Sequence, residues 1–292
     1  MQTAATSGTF SIGGTLPVYR MGFGAMRLTG PGIWGPPEDE ASARGVLRRA
    51  VELGVDFIDT ADVYGPDDNE RLIHEALHPY PAGLVIGTKA GLIRSGPSTP
   101  ENLGITMNGT EAHIRGALEG SLRKLGVDCI DLYQLHRVDP ATPIEETMRV
   151  FRALRDEGKI RHVGLSEVNV EEIERARSVV EIATVQNLYN VATRKHDDVL
   201  AYCERNGIGF IPFYPLHAGA LANSEAMAEI VARTGATPAQ IALAWLLKKS
   251  PVTILIPGTS SIAHLEQNVA ACEVELSDAD MEALERLRPE AA

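Results

Sequence analysis

The 292-residue sequence is 44% hydrophobic and 23% charged, the proportions of an ordinary globular protein with apolar material for one large core or two small ones. A formal net charge of -12 repels phosphate backbones and anionic membranes, so nucleic acid is excluded as an expected partner. The first residues carry no basic stretch followed by an apolar one, and no window is apolar enough to cross a bilayer, so a soluble, cytoplasmic protein is expected.

In chain order, residues 10–18 place Gly13-Gly14 between β-prone residues and predict a hairpin. Short β-branched or apolar runs then alternate with longer stretches of helical period, the pattern of repeated βα units. Strands are predicted at 19–22, 57–60, 85–89, 130–136, 162–166, 184–187, 209–213 and 253–256. Helix starts are marked by Asp67-Asp68-Asn69, Thr110-Glu111, Thr142-Pro143, Asn169 and Thr237-Pro238. Eight such units in this length predict an α/β fold, a single-domain (β/α)8 TIM barrel over residues 1–292, with the hairpin closing its bottom. The connections 28–39 and 92–109, rich in Gly, Pro, Ser and Thr, and the looser 216–224 are where such a barrel builds its substrate pocket. A last amphipathic helix is predicted at 277–287.

Two motifs are misleading. Gly30, Gly32 and Gly35 match G-x-G-x-x-G, but Pro31, Pro36 and Pro37 crowd the stretch and no strand-to-helix junction surrounds it, so it reads as a loop. His74 and His78 match H-E-x-x-H, yet the apolar face of Leu72, Ile73, Ala76 and Leu77 predicts both histidines on the solvent side, near the bottom of the barrel. No metal site is expected. Cys129, Cys203 and Cys272 are odd in number and widely spaced, as in a reducing compartment, and read as small buried hydrophobes.

The tops of the predicted strands carry the chemistry. Asp59 follows strand two, Tyr64 lies five residues further on, Lys89 ends strand three and His136 ends strand four. Reducing a carbonyl by hydride requires a proton for the oxygen as it becomes an alkoxide, and a free phenol with a pKa of about 10 is a slow donor. An ammonium such as Lys89 lowers that pKa, and Asp59 keeps the ammonium charged. His136 can donate a hydrogen bond to the substrate oxygen. Singly, each residue has a structural explanation; four together at one mouth point to catalysis.

Phe57 to Gly65, Gly87-Thr88-Lys89, Asp131 to His136, Val163 to Ser166, Val185-Gln186-Asn187 and Ile256-Pro257-Gly258-Thr259 carry a resemblance to the aldo-keto reductase superfamily, over nearly the whole chain. The resemblance implies a barrel that binds NAD(P)H across its top, with Asp59, Tyr64, Lys89 and His136 as the catalytic tetrad and a small aldehyde or ketone as substrate. It also implies that Ser166 and Gln186 hold the nicotinamide carboxamide. Where the family usually has asparagine stands Glu167, which can accept a hydrogen bond but not donate one. Phe213 falls where a tyrosine usually stacks on the nicotinamide; Tyr214, Pro215 and Leu216 follow in the turn over the pyrophosphate, and Gly24, Ala25, Met26 and Arg27 lie beneath the ribose.

By the same resemblance, the adenine end falls on Ile256, Pro257, Gly258, Thr259, Ser260, Ser261, His264, Gln267 and Asn268. Gly258 and His264 replace the usual lysine and arginine for the 2′-phosphate, and Gln267 replaces a glutamate. Hydroxyls and a helix N-terminus can still hold phosphate there. No acidic residue opens this loop, so NADPH is favoured and NADH remains possible. Trp34, Arg137 and the 92–109 segment are the expected pocket wall, with Tyr64 and His136. Two rival functions remain: a regulatory NADPH-binding barrel like the channel β-subunits of this superfamily, and a metal-dependent barrel hydrolase. The sequence does not specify the oligomeric state.

Overall fold

The computed structural model describes residues 3–216 and 224–287, so most of the predicted 216–224 connection lies outside the described residues. The hairpin pairs β1 (Thr9–Ile12) with β2 (Leu16–Tyr19) through Gly13 and Gly14, both at positive φ, as the tight turns that suit twisted strands require. The barrel strands follow as β3 (Phe23–Gly24), β4 (Phe57–Asp59) and β5 (Val85–Ala90). A small antiparallel flap, β6 (Leu92–Arg94) and β7 (Ile105–Met107), interrupts them before β8 (Ile130–Leu135), β9 (Ile160–Ser166), β10 (Thr184–Leu188) and β11 (Gly209–Phe213).

Seven strands run parallel in the order β11-β10-β9-β8-β5-β4-β3. The eighth position is filled by residues 253–256, which bridge Phe210 on one side and Met21 on the other. Leu255 N–H donates to the Arg20 carbonyl at 2.7 Å and Ile254 N–H to the Phe210 carbonyl at 2.8 Å, so the sheet closes into a (β/α)8 barrel. The first barrel strand begins later than the predicted 19–22: the β-prone run from Leu16 to Gly24 has no turn signal to show where the hairpin stops.

The helices are α1 (Glu40–Glu52), α2 (Asp68–Leu77), α3 (Glu111–Leu125), α4 (Ile144–Asp156), α5 (Val170–Arg177), α6 (Asp197–Asn206), α7 (Glu225–Thr234), α8 (Pro238–Lys249), α9 (Ile262–Ala270) and α10 (Asp278–Arg286). Asn169 with Glu172 and Thr237 with Gln240 form complete capping boxes at the starts of α5 and α8. Among the described residues no helix is long and apolar enough to cross a membrane.

Phe57, Val85, Leu132, Ile211, Ile254 and Ile256 from five barrel strands meet Ile12 and Val18 of the hairpin in one buried cluster. The hairpin therefore plugs the bottom of the lumen. Strand side chains alternate with a period of two, so Asp59, Lys89 and Gln134 share the inward face with this cluster but sit higher, toward the C-terminal ends. Apolar plug below and polar layer above set the position of the site.

Candidate active site

Lys89 is wholly buried and donates to Asp59 Oδ2 at 2.6 Å and to the Thr60 carbonyl at 2.7 Å. The other Asp59 oxygen accepts from Gln134 Nε2 at 3.1 Å and from Gln186 Nε2 at 2.9 Å. Three side chains thus neutralise and hydrogen-bond one buried carboxylate, as burial of a charge demands. Burial alone would favour a neutral Lys89, but Asp59 reverses this and holds the lysine pKa above its ordinary value.

Tyr64 folds back over this pair. Its N–H donates to the Ala61 carbonyl at 3.2 Å, and its own carbonyl accepts from Asn69 N–H at 3.3 Å. The Tyr64 ring centroid lies 5.2 Å from Lys89 Nζ, and the His136 ring meets it edge-on at 5.8 Å and 82°. All four predicted catalytic residues are brought together at one mouth of the barrel.

The electrostatics differ from the expectation in one respect. Burial raises the Tyr64 pKa above that of a free phenol, and Lys89 only opposes that rise, with Asp59 adding to it and Arg137 reducing it. Tyr64 is therefore a protonated phenol at neutral pH, the form a proton donor requires. His136 is shifted far down, first by burial and then by Lys89, Arg137 and Arg94, so its imidazole is neutral and still able to donate from one nitrogen. Its Nδ1 is buried and has no hydrogen-bond partner among the described residues.

An apolar wall surrounds the phenol. Ala61, Val63, Tyr64 and Leu92 cluster with Met26 and with Ile33 and Ile105, the last two from the 28–39 and 92–109 connections named from sequence. The 92–109 segment is a flap rather than an irregular loop; its strands are three residues long with only Leu92 buried, too short for a periodic signal. Arg94 pins it to the Tyr64 loop by donating to the Val63 carbonyl at 2.8 Å. Trp34 is 41% exposed on the neighbouring loop.

The remaining named positions divide. Ser166 ends β9 level with Gln186 on β10, and Phe213 ends β11 level with Leu188, two residues further along β10. Glu167 has φ +54°, and its carboxylate accepts from Leu188 N–H at 2.6 Å and pairs with Lys195 at 3.3 Å. Burial opposes its ionisation, yet the His196 ring 3.6 Å away, these two donors and the Arg137 charge hold its pKa down at about 2. Arg137 donates to Ser166 Oγ at 3.0 Å and lies 5.6 Å from the Phe213 ring centroid.

Gly24 and Gly258 pass so closely that a Cβ on Gly24 would lie 2.6 Å from the Ile256 carbonyl oxygen, and one on Gly258 would lie 2.8 Å from the Gly24 oxygen. Ala25 is buried, Met26 half-buried and Arg27 exposed in the turn that follows. A cleft of about 550 Å³ opens from Met26 and Arg27 toward the start of α1 and Ser260. Pro257 is buried; Thr259 Oγ1 accepts from Ser261 N–H at 3.0 Å, and Ser261 caps α9. His264 and Gln267 are exposed and Asn268 is buried. Tyr214 stands half out of the surface at φ +57°, followed by buried Pro215 and half-buried Leu216.

Sequence reasoning missed Gln134 and Asn69. Gln134 was accessible by parity, two residues before His136 on the same strand face; Asn69 registered only as a helix start. The rejected motifs occupy a loop and a helix end: Pro31–Ile33 is a short 3-10 turn, and α2 stops at Leu77 before His78. His74, predicted on the solvent side, is half-buried with Nδ1 3.1 Å from the Leu125 carbonyl, because α3 packs against that edge of α2. Among the described residues no three His, Cys, Asp or Glu side chains form a metal-binding group.

Fold and site together define a barrel oxidoreductase of one class. The aldo/keto reductase family profile matches residues 20–289, and the chain belongs to that family. It is 47% identical over 275 residues to an uncharacterized oxidoreductase of Schizosaccharomyces pombe, covering 94% of this chain and 88% of that one. It is 40% identical over 291 residues to pyridoxine 4-dehydrogenase of Escherichia coli, covering 98% and 100%. Among solved structures, an aldo-keto reductase from Klebsiella pneumoniae in complex with NADPH superposes with a TM-score of 0.78 at 28% identity, covering 97% of this chain and 96% of that one.

Proposed function

We propose that the protein reduces an aldehyde or ketone to the alcohol with NADPH, and that Tyr64 delivers the proton. The observation that carries this reading is the convergence of Lys89, Asp59, His136 and the protonated Tyr64 phenol on one mouth of the barrel. A bound reduced nicotinamide supplies the hydride. Tyr64 gives its hydroxyl proton to the carbonyl oxygen, and the ammonium of Lys89 stabilises the phenolate left behind. Neutral His136 donates a hydrogen bond to the same oxygen and fixes its approach. Asp59 keeps Lys89 charged and immobile.

The residues present fit the cofactor. The side-chain-free contact of Gly24 with Gly258 leaves a cradle beside the cleft that ends at Ser260. Ser166, Gln186 and Phe213 offer a hydroxyl, an amide and an aromatic face on three adjacent strands. Thr259, Ser260, Ser261 and the α9 N-terminus would take the 2′-phosphate, and the nearest glutamate in that helix, Glu266, is held by Arg49 at 2.8 Å. The Klebsiella pneumoniae structure with NADPH supports the same preference.

The test is a panel of aldehydes and ketones followed by loss of NADPH absorbance. Pyridoxine and the aldehyde it gives on oxidation belong in it, because of the Escherichia coli relative. Turnover of at least one carbonyl is expected, with NADPH bound more tightly than NADH; cofactor binding with no turnover across the panel would contradict the reading.

A further inference from the structure

Arg137 follows His136, and its guanidinium lies among the tops of three neighbouring strands. Its Nη1 donates to the His136 carbonyl at 2.5 Å and to Ser166 Oγ at 3.0 Å, and the guanidinium carbon lies 5.6 Å from the Phe213 ring centroid. The Nε and Nη2 groups make no hydrogen bond to a described residue. A half-buried cation with unused donors is thus fixed between a hydroxyl and an aromatic face.

A primary amide bound there needs an acceptor for its NH₂ and a donor for its oxygen. Gln186 gives its NH₂ to Asp59, which leaves its Oε1 as an acceptor. Ser166 receives a hydrogen bond from Arg137, so its own proton is directed outward. Glu167 has no proton to donate, and its oxygens are engaged by Leu188 and Lys195. The donor that position 167 lacks can come from the guanidinium of Arg137, across the strand tops. We infer that Arg137 is a cofactor-binding residue whose guanidinium donates to the carboxamide oxygen of the nicotinamide, directly and by orienting Ser166. This inference rests on the NADPH-dependent reading above and moves Arg137 from the substrate wall to the cofactor.

The experiment measures dissociation constants by quenching of protein fluorescence, using NADPH and its thionicotinamide analogue, whose sulfur is a poor acceptor. The wild type should bind the analogue about tenfold or more weakly, the size expected for one hydrogen bond from a charged donor. Arg137→Met should lose a similar factor for NADPH and should no longer distinguish the two cofactors. Arg137→Lys, which keeps a charge and donors, should recover part of the loss. Equal binding of the two cofactors by the wild type would overturn the inference without any variant. So would Arg137→Met binding NADPH normally, or losing the same factor for both cofactors. Unchanged cofactor affinity with a selective rise in KM for carboxylate-bearing aldehydes would return Arg137 to the substrate side and also overturn it. A wild type that binds no nicotinamide cofactor would overturn the function itself, whereas the other outcomes leave that function standing.

Discussion

The ammonium of Lys89 and the carboxylate of Asp59 meet at 2.6 Å at the boundary between the apolar plug and the open mouth, both closed off from water. Removing one member of such a pair leaves the other charge stranded, which costs about 3–5 kcal/mol. Lys89→Met should therefore lower Tm by roughly 10 °C as well as abolish turnover. Asp59→Asn combined with Lys89→Met removes both charges and should recover much of that stability without recovering activity. Thermal unfolding of the wild type and the two variants checks this, and an unchanged Tm for Lys89→Met would refute it.

The convergence of Asp59, Tyr64, Lys89 and His136 was legible because strand period and loop position place Asp59, Lys89 and His136 at strand ends without any tertiary information. The plug was legible for a similar reason: Gly13-Gly14 between β-prone residues is a local signal. Tertiary consequences were not. The pKa of Tyr64 depends on burial by Met26, Ile33 and Ile105, which come from distant segments, and burial outweighs the Lys89 effect that spacing suggested. Nor could Arg137 be placed, because strand parity does not say which way a long side chain turns beyond the strand end. The eighth strand, reduced to bridges at Thr253 and Leu255, was recognisable only from its apolar run.

Asn69 joins three parts of the site. Its side chain accepts from Thr60 Oγ1 at 2.6 Å and donates to the Ala25 and Leu28 carbonyls at 2.9 and 3.1 Å, tying the end of β4 to the 25–28 turn. Asn69→Asp keeps the shape and removes both donors, stranding a buried carboxylate between two carbonyls. It should weaken NADPH binding and lower Tm, whereas Asn69→Ser should do less of both. Normal affinity and normal Tm for Asn69→Asp would count against the role.

Asp62 has one carboxylate oxygen buried without a hydrogen-bond partner among the described residues. Burial first, and repulsion by Glu70 second, raise its pKa to about 8 against the pull of Lys124. An unfolded chain releases this proton near pH 4, whereas the folded one retains it to about pH 8. Ionising it in the fold therefore costs stability that grows across that interval and is constant above it. Asp62→Asn should raise Tm at pH 9 and leave it nearly unchanged at pH 4. The same gain at both values, or none at pH 9, would contradict the assignment.

His74 and His78 have ring centroids 4.5 Å apart at the end of α2, remote from the tetrad in the βα unit that carries it down the barrel. Replacing both with Gln, or adding a strong chelator, should leave turnover unchanged. Loss of activity on chelation that added zinc restores would revive a metal role.

Tyr64→Phe isolates the proposed proton donor, since it removes one hydroxyl and keeps the ring that packs with Val63 and Leu92. Cofactor affinity should hardly move, because the proposed NADPH contacts are at Ser166, Gln186, Phe213 and the 256–268 segment. Turnover of the best carbonyl substrate should fall by about 10²–10⁴, the range for loss of a general acid. A Tyr64→Phe protein that binds NADPH normally and still turns over at more than about a tenth of the wild-type rate would rule out Tyr64 as the proton donor, since a missing general acid costs more than that.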